Sequence, residues 1–433
     1  MSLIKNRPEL LKENETLRKD ALDILEAGLL AINTEKVLKA KLTINGDAFC
    51  VESLSEGGVG FQCQFFERIF FIGIGKCAFD GAKVIEDILG DKLTEGIVLD
   101  VKAGVLKRIK SYQGTHPFPS ETNVSVTKQI LEMVADVTEK DLVIVLISGG
   151  GSSLLCLPHE INCESLTYVT RELFEKGADI FELNTVRKHL SEVQGGGLAK
   201  LLFPAQVASL IFSDVLGDDL GMIASGPTVR DETTVADAQN ILKKYKISQD
   251  LISGGFIETP KDSRYFAKVK NFLLVSNQNA LEAMDEKAEE LGYDSKIETD
   301  IFSGNASEAG KKIASMKIKP KSCVLFGGET TVNIKGKGVG GRNQELALSA
   351  LSYVPQDMVI ASLASDGWDN TPHAGAMADK AILKRAKSLK LDPKKYLEES
   401  DSFNFWKKIG DGAISTGRLG SNVSDLIIMI SSK

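Results

Sequence analysis

At 433 residues the chain exceeds what one hydrophobic core usually serves, so two domains are expected. Hydrophobic residues at 43% and charged residues at 26% are ordinary for a globular protein. A net charge of −7 argues against nucleic acid or an anionic membrane surface as partner, so an anionic ligand must be held by local sites.

The opening MSLIKNRPELLKENETLRKD has no apolar signal core, and no apolar run approaches the ~20 residues that cross a bilayer; the expectation is cytoplasmic. Cys50, Cys63, Cys77, Cys156, Cys163 and Cys323 form no CxxC pair, and only four histidines accompany them. They read as reduced core residues rather than zinc or iron–sulfur ligands.

In chain order, apolar spacing predicts a helix over 8–32 and a second over 35–42, then a loop or hairpin across 45–60. IFFIGIG, residues 69–75, reads as a buried strand followed by a helix to Leu89, and GIVLD ends the next strand at Asp100. A helix over 122–135 leads into LVIVLI, residues 142–147, a strand buried on both faces. Helices are expected at 165–176 and 184–191, a strand at 208–212 and a helix at 235–245. The mixed segment 247–268 is the expected domain boundary, giving a Rossmann-like N-terminal domain over 1–250 and a smaller α/β domain over 268–433. The second half is read as a strand at 272–275, helices at 279–291 and 306–317, a strand at 322–326, a GG turn and an extended TTVNI. A helix at 342–351, a strand at 358–364, a helix at 376–390 and a last strand at 426–430 follow. Strand, glycine loop and helix in alternation indicate an α/β fold with parallel strands.

The chain is organised around SGGGSS, which follows the central strand. Gly149, Gly150 and Gly151 let the backbone turn its N–H groups inward, and Ser152 or Ser153 is placed to cap a following helix. Such a loop suits a phosphate or carboxylate. GIGKCA, residues 73–78, with Asp100 ending the next strand, approaches the dinucleotide fingerprint. Lys76, beside exposed backbone donors, suits a phosphoryl group better than a nicotinamide. GKGVGGRNQE supplies Gly340, Gly341 and the fork of Arg342 as a second anion-shaped loop, flanked by Lys335 and Lys337. Asp214, Asp218 and Asp219 follow one strand, and Asp366 and Asp369 another; hard carboxylates in such loops suit Mg²⁺. Arg187, Lys188 and His189 fall on one helix, where a solvated basic face is the ordinary explanation. There is no GxxxxGK[ST], GxSxG or HExxH.

GGGSSLLCLP, LNTVRKHLSEVQGGGLA, FSDVLGDDLGMIASGPTVRD, GGETTVNIKGKGVGGRNQELAL and the SDG of SDGWDN together resemble the class II glycerate kinases, the MOFRL-type glycerate 2-kinases. The resemblance runs from GIGK to SNVSDL near the C-terminus. It implies phosphoryl transfer from ATP to D-glycerate with a divalent metal, in a cleft between two α/β domains. The family's catalytic lysine and arginine fall on Lys76 and Arg342. On this basis Lys76 and Arg342 are expected to be exposed and to balance charge on the phosphoryl group and the substrate carboxylate. Arg187 is a further substrate contact, and Asp214 or Asp366 holds Mg²⁺ or orients the attacking hydroxyl. The expected partners are D-glycerate and ATP, with a homodimer left open. Three departures stand out: Gly197 where a basic residue is expected, His373 near an expected acid, and Arg418 where a proline is common. The rival activity, motivated by GIGKCA and Asp100, is an NAD(P)-dependent hydroxypyruvate reductase, and a non-catalytic anion sensor is the third alternative.

Overall fold

The computed structural model describes residues 2–11, 15–53, 57–252 and 254–432. Contacts divide the chain into two units, Thr34–Val275 and Met1–Asn33 together with Ser276–Lys433.

The first unit carries six strands: β1 (Arg68–Ile74), β2 (Glu95–Asp100), β3 (Ile109–Gln113), β4 (Asp141–Ile147), β5 (Gln206–Phe212) and β6 (Val269–Val275). They lie in the order β3-β2-β1-β4-β5-β6, and every pairing is parallel. The winding reverses between β1 and β4, so the loops leaving these neighbours part in opposite directions and open a crevice at their C-terminal ends. Both strands are unbroken apolar runs because helices cover both faces: Ile72, Val143, Val145 and Val207 pack with Val126, Ile130, Leu198 and Leu202 in one core. The polar IKSYQ of β3 has no such run because it is an edge strand, and its sequence gave no reason to expect it. The loop or hairpin foreseen across 45–60 belongs to a three-stranded antiparallel sheet, Leu42–Asn45, Ala48–Ser53 and Gly57–Gln62.

The second unit holds β7 (Asp294–Asn305), β8 (Ser322–Thr331), β9 (Met358–Ala364), β10 (Gly375–Ala378), β11 (Ala413–Ile414) and β12 (Asp425–Ser431). Their order is β7-β8-β12-β9-β10-β11, parallel between β7 and β8 and antiparallel elsewhere. The GG foreseen as a turn lies inside β8, where each glycine admits a close approach. A Cβ on Gly327 would sit 1.6 Å from Asn277 Oδ1, and one on Gly328, at φ +149°, 2.0 Å from the Phe302 carbonyl. GAMA, expected to begin a helix, is β10; the helix starts at Lys380, where Asp379 accepts the N–H of Ile382.

Contacts divide the chain elsewhere than the expected 1–250 and 268–433. Strand β6 pairs with β5, so the first unit runs to Val275. Helix Glu15–Ala31 packs on helix Asn277–Glu290, with Gly28 closing the crossing: a Cβ there would stand 2.8 Å from Met284 Cγ. Arg18, fully buried, binds Asp379 through two N–H donors at 2.7 and 3.0 Å and the Leu10 carbonyl at 2.7 Å. Removing one partner of such a pair strands the other charge out of water, so Arg18→Ala should cost about 3–5 kcal/mol. Urea unfolding of the variant is the measurement, and a change below about 1 kcal/mol would contradict the pairing.

Candidate active site

Gly75 leaves β1 at φ +119°, and a Cβ on it would lie 2.1 Å from Ser148 Oγ. That contact lets the loops after β1 and β4 be stitched together. Lys76 N–H donates to the Gly149 carbonyl at 3.0 Å, and Cys77 N–H to Ser148 Oγ at 3.3 Å. The bare faces of the next glycines are then turned to three side chains. A Cβ on Gly149 would stand 2.3 Å from Asp214 Oδ2. One on Gly150, at φ +83°, would stand 3.3 Å from Lys76 Cε and 3.0 Å from His116 Cδ2. Among the described residues, the N–H groups of Gly149 and Gly150 donate to no protein acceptor. The result is a cradle of free backbone donors, one ammonium and one carboxylate at the switch point of the sheet. Loss of water around the ring, and then the charge of Lys76, push the His116 pKa down to about 4, so it adds no charge at neutral pH.

The serines of this loop act differently from expectation. Gly150 is the N-cap, and Ser152 and Ser153 lie inside a single helical turn, Gly151–Leu154, so neither caps it. Ser153 Oγ donates to the Pro117 carbonyl at 2.5 Å, and Ser152 Oγ meets Ser225 Oγ at 2.9 Å. Ser225 in turn donates to Asn184 Oδ1 at 2.5 Å, to which Arg187 also donates at 3.4 Å. Arg187 is thereby tied to the cradle.

The basic run on helix Ile180–Lys188 is not a solvated face. Lys188 is buried against Asp231 at 3.0 Å, and His189 is buried with Nδ1 at 2.9 Å from the Ile257 carbonyl and Nε2 at 3.2 Å from Thr233 Oγ1. Arg187 alone has no such partner: among the described residues it meets no carboxylate within 4.0 Å, and burial pulls its pKa down. A guanidinium in this state can pair with an anion from outside the protein.

The dinucleotide fingerprint does not form. Gly73 lies within β1, where a Cβ would stand 2.9 Å from Val98 Cγ2. The Asp100 carboxylate is buried, accepting Phe79 N–H at 2.9 Å and Val101 N–H at 2.5 Å, with burial pushing its pKa up to about 6. It cannot reach a ribose.

In the second unit Arg342 opens helix Arg342–Leu351 and is largely enclosed, not exposed as expected. Nε and Nη2 grip Asp425 at 2.7 and 3.0 Å, and Nη1 meets Glu329 at 2.6 Å. Burial works against its charge, but Asp425 and Glu329 hold its pKa above the ordinary value. Gly340 and Gly341 do not present an open phosphate loop. A Cβ on Gly340 would be 2.1 Å from Ser402 Oγ, and one on Gly341 2.1 Å from the Asp369 carbonyl. The helix N-terminus is closed by Asp369, which accepts the N–H groups of Asn343 and Gln344 at 3.2 and 2.9 Å. Asp366 sits after β9, with Oδ1 accepting Trp368 N–H at 3.0 Å.

The three departures also have local explanations. A Cβ on Gly197 would stand 2.1 Å from the Glu192 carbonyl, so no side chain fits there. His373 Nδ1 meets Ser415 Oγ at 2.8 Å, and Arg418 lies over the Trp368 ring at 3.9 Å.

His116, Asn184, Ser225, Glu345 and Asp425 were not foreseen as site residues; only their place inside the quoted motifs marked Asn184, Ser225, Glu345 and Asp425. Burial pushes Glu345, from an ordinary 4.5, and Asp425, from 3.8, each up to about 7. A carboxyl whose folded pKa is raised binds its proton more tightly in the folded chain. Stability therefore falls as pH rises from the unfolded value to about 7. A series of melting curves between about pH 5 and 8 should show Tm dropping, and Glu345→Gln should flatten the drop. An unchanged slope in that variant would contradict the assignment.

Among the described residues no three His, Cys, Asp or Glu side chains gather as a metal site, and no helix is long and apolar enough to cross a membrane. Residues 20–253 match the domain of unknown function DUF4147, and residues 322–425 match the MOFRL family. A D-glycerate 2-kinase of Thermotoga maritima is 37% identical, covering 96% of this chain and 98% of its own length. A glycerate 2-kinase of Pyrococcus horikoshii is 38% identical over 95% of this chain and 98% of its own. A protein of Agrobacterium vitis, 35% identical over 83% of this chain and 86% of its own, carries a hydroxypyruvate reductase name. The crystal structure of a Thermotoga maritima glycerate kinase superposes with a TM-score of 0.85 at 36% identity, over 96% of this chain and all of that one. The cradle at the switch point and these matches agree: the chain belongs to the class II glycerate kinase family, the MOFRL-type glycerate 2-kinases.

Proposed function

We propose that this chain is an ATP-dependent glycerate 2-kinase, moving the terminal phosphoryl group of ATP to the 2-hydroxyl of D-glycerate. The observation that carries the reading is the cradle of Gly149 and Gly150, whose free N–H groups, Lys76 and Asp214 surround one space. Phosphoryl transfer asks the protein for position and charge balance more than for covalent chemistry. The glycine N–H groups hold phosphate oxygens, and Lys76 balances the charge that spreads over the transferring group. Arg187, which meets no carboxylate of the protein among the described residues, takes the glycerate carboxylate with its fork. Asp214, a hard oxygen against the phosphate loop, would hold Mg²⁺ together with the nucleotide, and that ion would neutralise phosphate charge. Arg342, gripped by Asp425 and Glu329, fixes the N-terminal turn of its helix in the second unit.

The reductase reading loses the acid that motivated it, since Asp100 is closed inside the fold. With ATP, Mg²⁺ and D-glycerate the protein should release ADP and yield 2-phosphoglycerate, identified by ³¹P spectra. NADH with hydroxypyruvate should stay unconsumed. Reductase turnover without ADP release would overturn the proposal. EDTA should stop the reaction and excess Mg²⁺ restore it.

Single substitutions separate the roles. Lys76→Ala should lower kcat by about 10²–10³ with little change in Tm. Arg187→Ala should raise the KM for glycerate by about 10–100-fold, the worth of a charge-assisted hydrogen bond. Arg342→Lys should lose activity and melting temperature together, because a point charge cannot replace the fork on buried Asp425. Near-normal kcat in Lys76→Ala would remove it from the chemistry.

A further inference from the structure

A cavity of about 360 Å³ in the first unit is lined by Glu121, Glu164, Tyr168 and Arg171 among others, with Pro119 and Ser120 at the side nearest the cradle in the chain. Its volume is in the range of small-molecule sites. It is also continuous with the cradle through the chain. Ser153, the last residue of the glycine–serine loop, donates to the Pro117 carbonyl, and Pro119 comes two residues later, at most about 7 Å along the backbone. Asn123 secures the junction, donating to the carbonyls of Ser153 at 2.8 Å and Thr115 at 3.0 Å and accepting from Ser120 Oγ at 3.1 Å. The rim of the cavity and the phosphate loop are therefore held as one piece.

The lining is that of a base-binding site. Tyr168 offers a ring, 45% exposed, with no protein ring stacked on it among the described residues. Arg171 lies 4.8 Å over the Phe118 ring and makes a second flat wall. Glu121 and Glu164 line the cavity and bring carboxylate acceptors, suited to the amino group of adenine and opposed to the O6 acceptor of guanine. We infer that this cavity takes the adenosine of ATP, with its triphosphate running past Ser153 into the cradle. The inference rests on the kinase reading and names the nucleoside part of that site.

Calorimetric titration of ATP and of inorganic tripolyphosphate into the whole chain tests it. Tyr168→Ala should weaken ATP about 10-fold and leave tripolyphosphate within a factor of about two, since base–aromatic stacking is lost and the cradle is untouched. Tyr168→Phe should bind ATP as the native chain does, and GTP should bind more weakly than ATP to the native chain. In turnover, Tyr168→Ala should raise the KM for ATP and not that for glycerate. If Tyr168→Ala binds ATP normally, or loses both ligands equally, the assignment of this cavity is overturned while the kinase reading stands. If the native chain releases no ADP from ATP and glycerate, the kinase reading itself falls. The exposed position of Tyr168 keeps the fold out of the comparison, and a melting curve on each variant checks that.

Discussion

The contact of Gly75 with Ser148 is the constraint on which the cradle depends. Two neighbouring parallel strands end at the same level, and the loops leaving them must separate. They stay together for one more residue because Gly75 has no Cβ, so that Lys76 N–H can reach the Gly149 carbonyl. Any side chain at 75 would collide with Ser148 and move the loop that carries Gly149 and Gly150. Lys76 owes its place to that stitch as much as to its own rotamer. Asp214 closes the other side from the end of β5, so the loops of three successive strands in the sheet define one anion-sized space.

The two glycine loops of the chain look alike in sequence and do opposite things. In SGGGSS the missing side chains let Asp214, His116 and Lys76 close on the loop, while the N–H groups of Gly149 and Gly150 keep no protein acceptor among the described residues. In GKGVGG they let the backbone lie directly on residues 399–402 and on Asp369, with Val339 N–H bound to Asp401 and Gly338 N–H to the Glu399 carbonyl. Glycine permits close approach in both cases. In one loop two N–H groups keep no protein acceptor among the described residues, in the other the backbone is packed against the chain, and composition does not distinguish them.

That ambiguity marks the limit of what was legible. The parallel sheet could be read because β1, β4 and β5 are continuous apolar runs. The edge strands β3 and β7 could not, since one or both of their faces meet water and their residues alternate without an apolar stripe. Lys76, Asp214 and the first glycine loop lie next to strand ends, and their gathering at one end of the sheet could be read from spacing. Lys188 and His189 were misread as a solvated face because their partners, Asp231, Thr233 and Ile257, lie more than 40 residues away. Asp100 carried the right letter for a ribose ligand, but its use as a backbone acceptor is visible only once the turn after β1 is folded.

The strand order of the second unit bears on how the chain comes to be folded during synthesis. Helix Glu15–Ala31 is made early, yet its packing partners begin only at Ser276. Strand β12, made after both of its neighbours, lies in the middle of its sheet with β8 on one side and β9 on the other. The first unit has all its strands once Val275 has emerged, whereas the second is left open at its centre until β12 arrives. A chain broken off before Asp425 would carry a finished cradle and a split sheet, its apolar strand edges exposed to other chains.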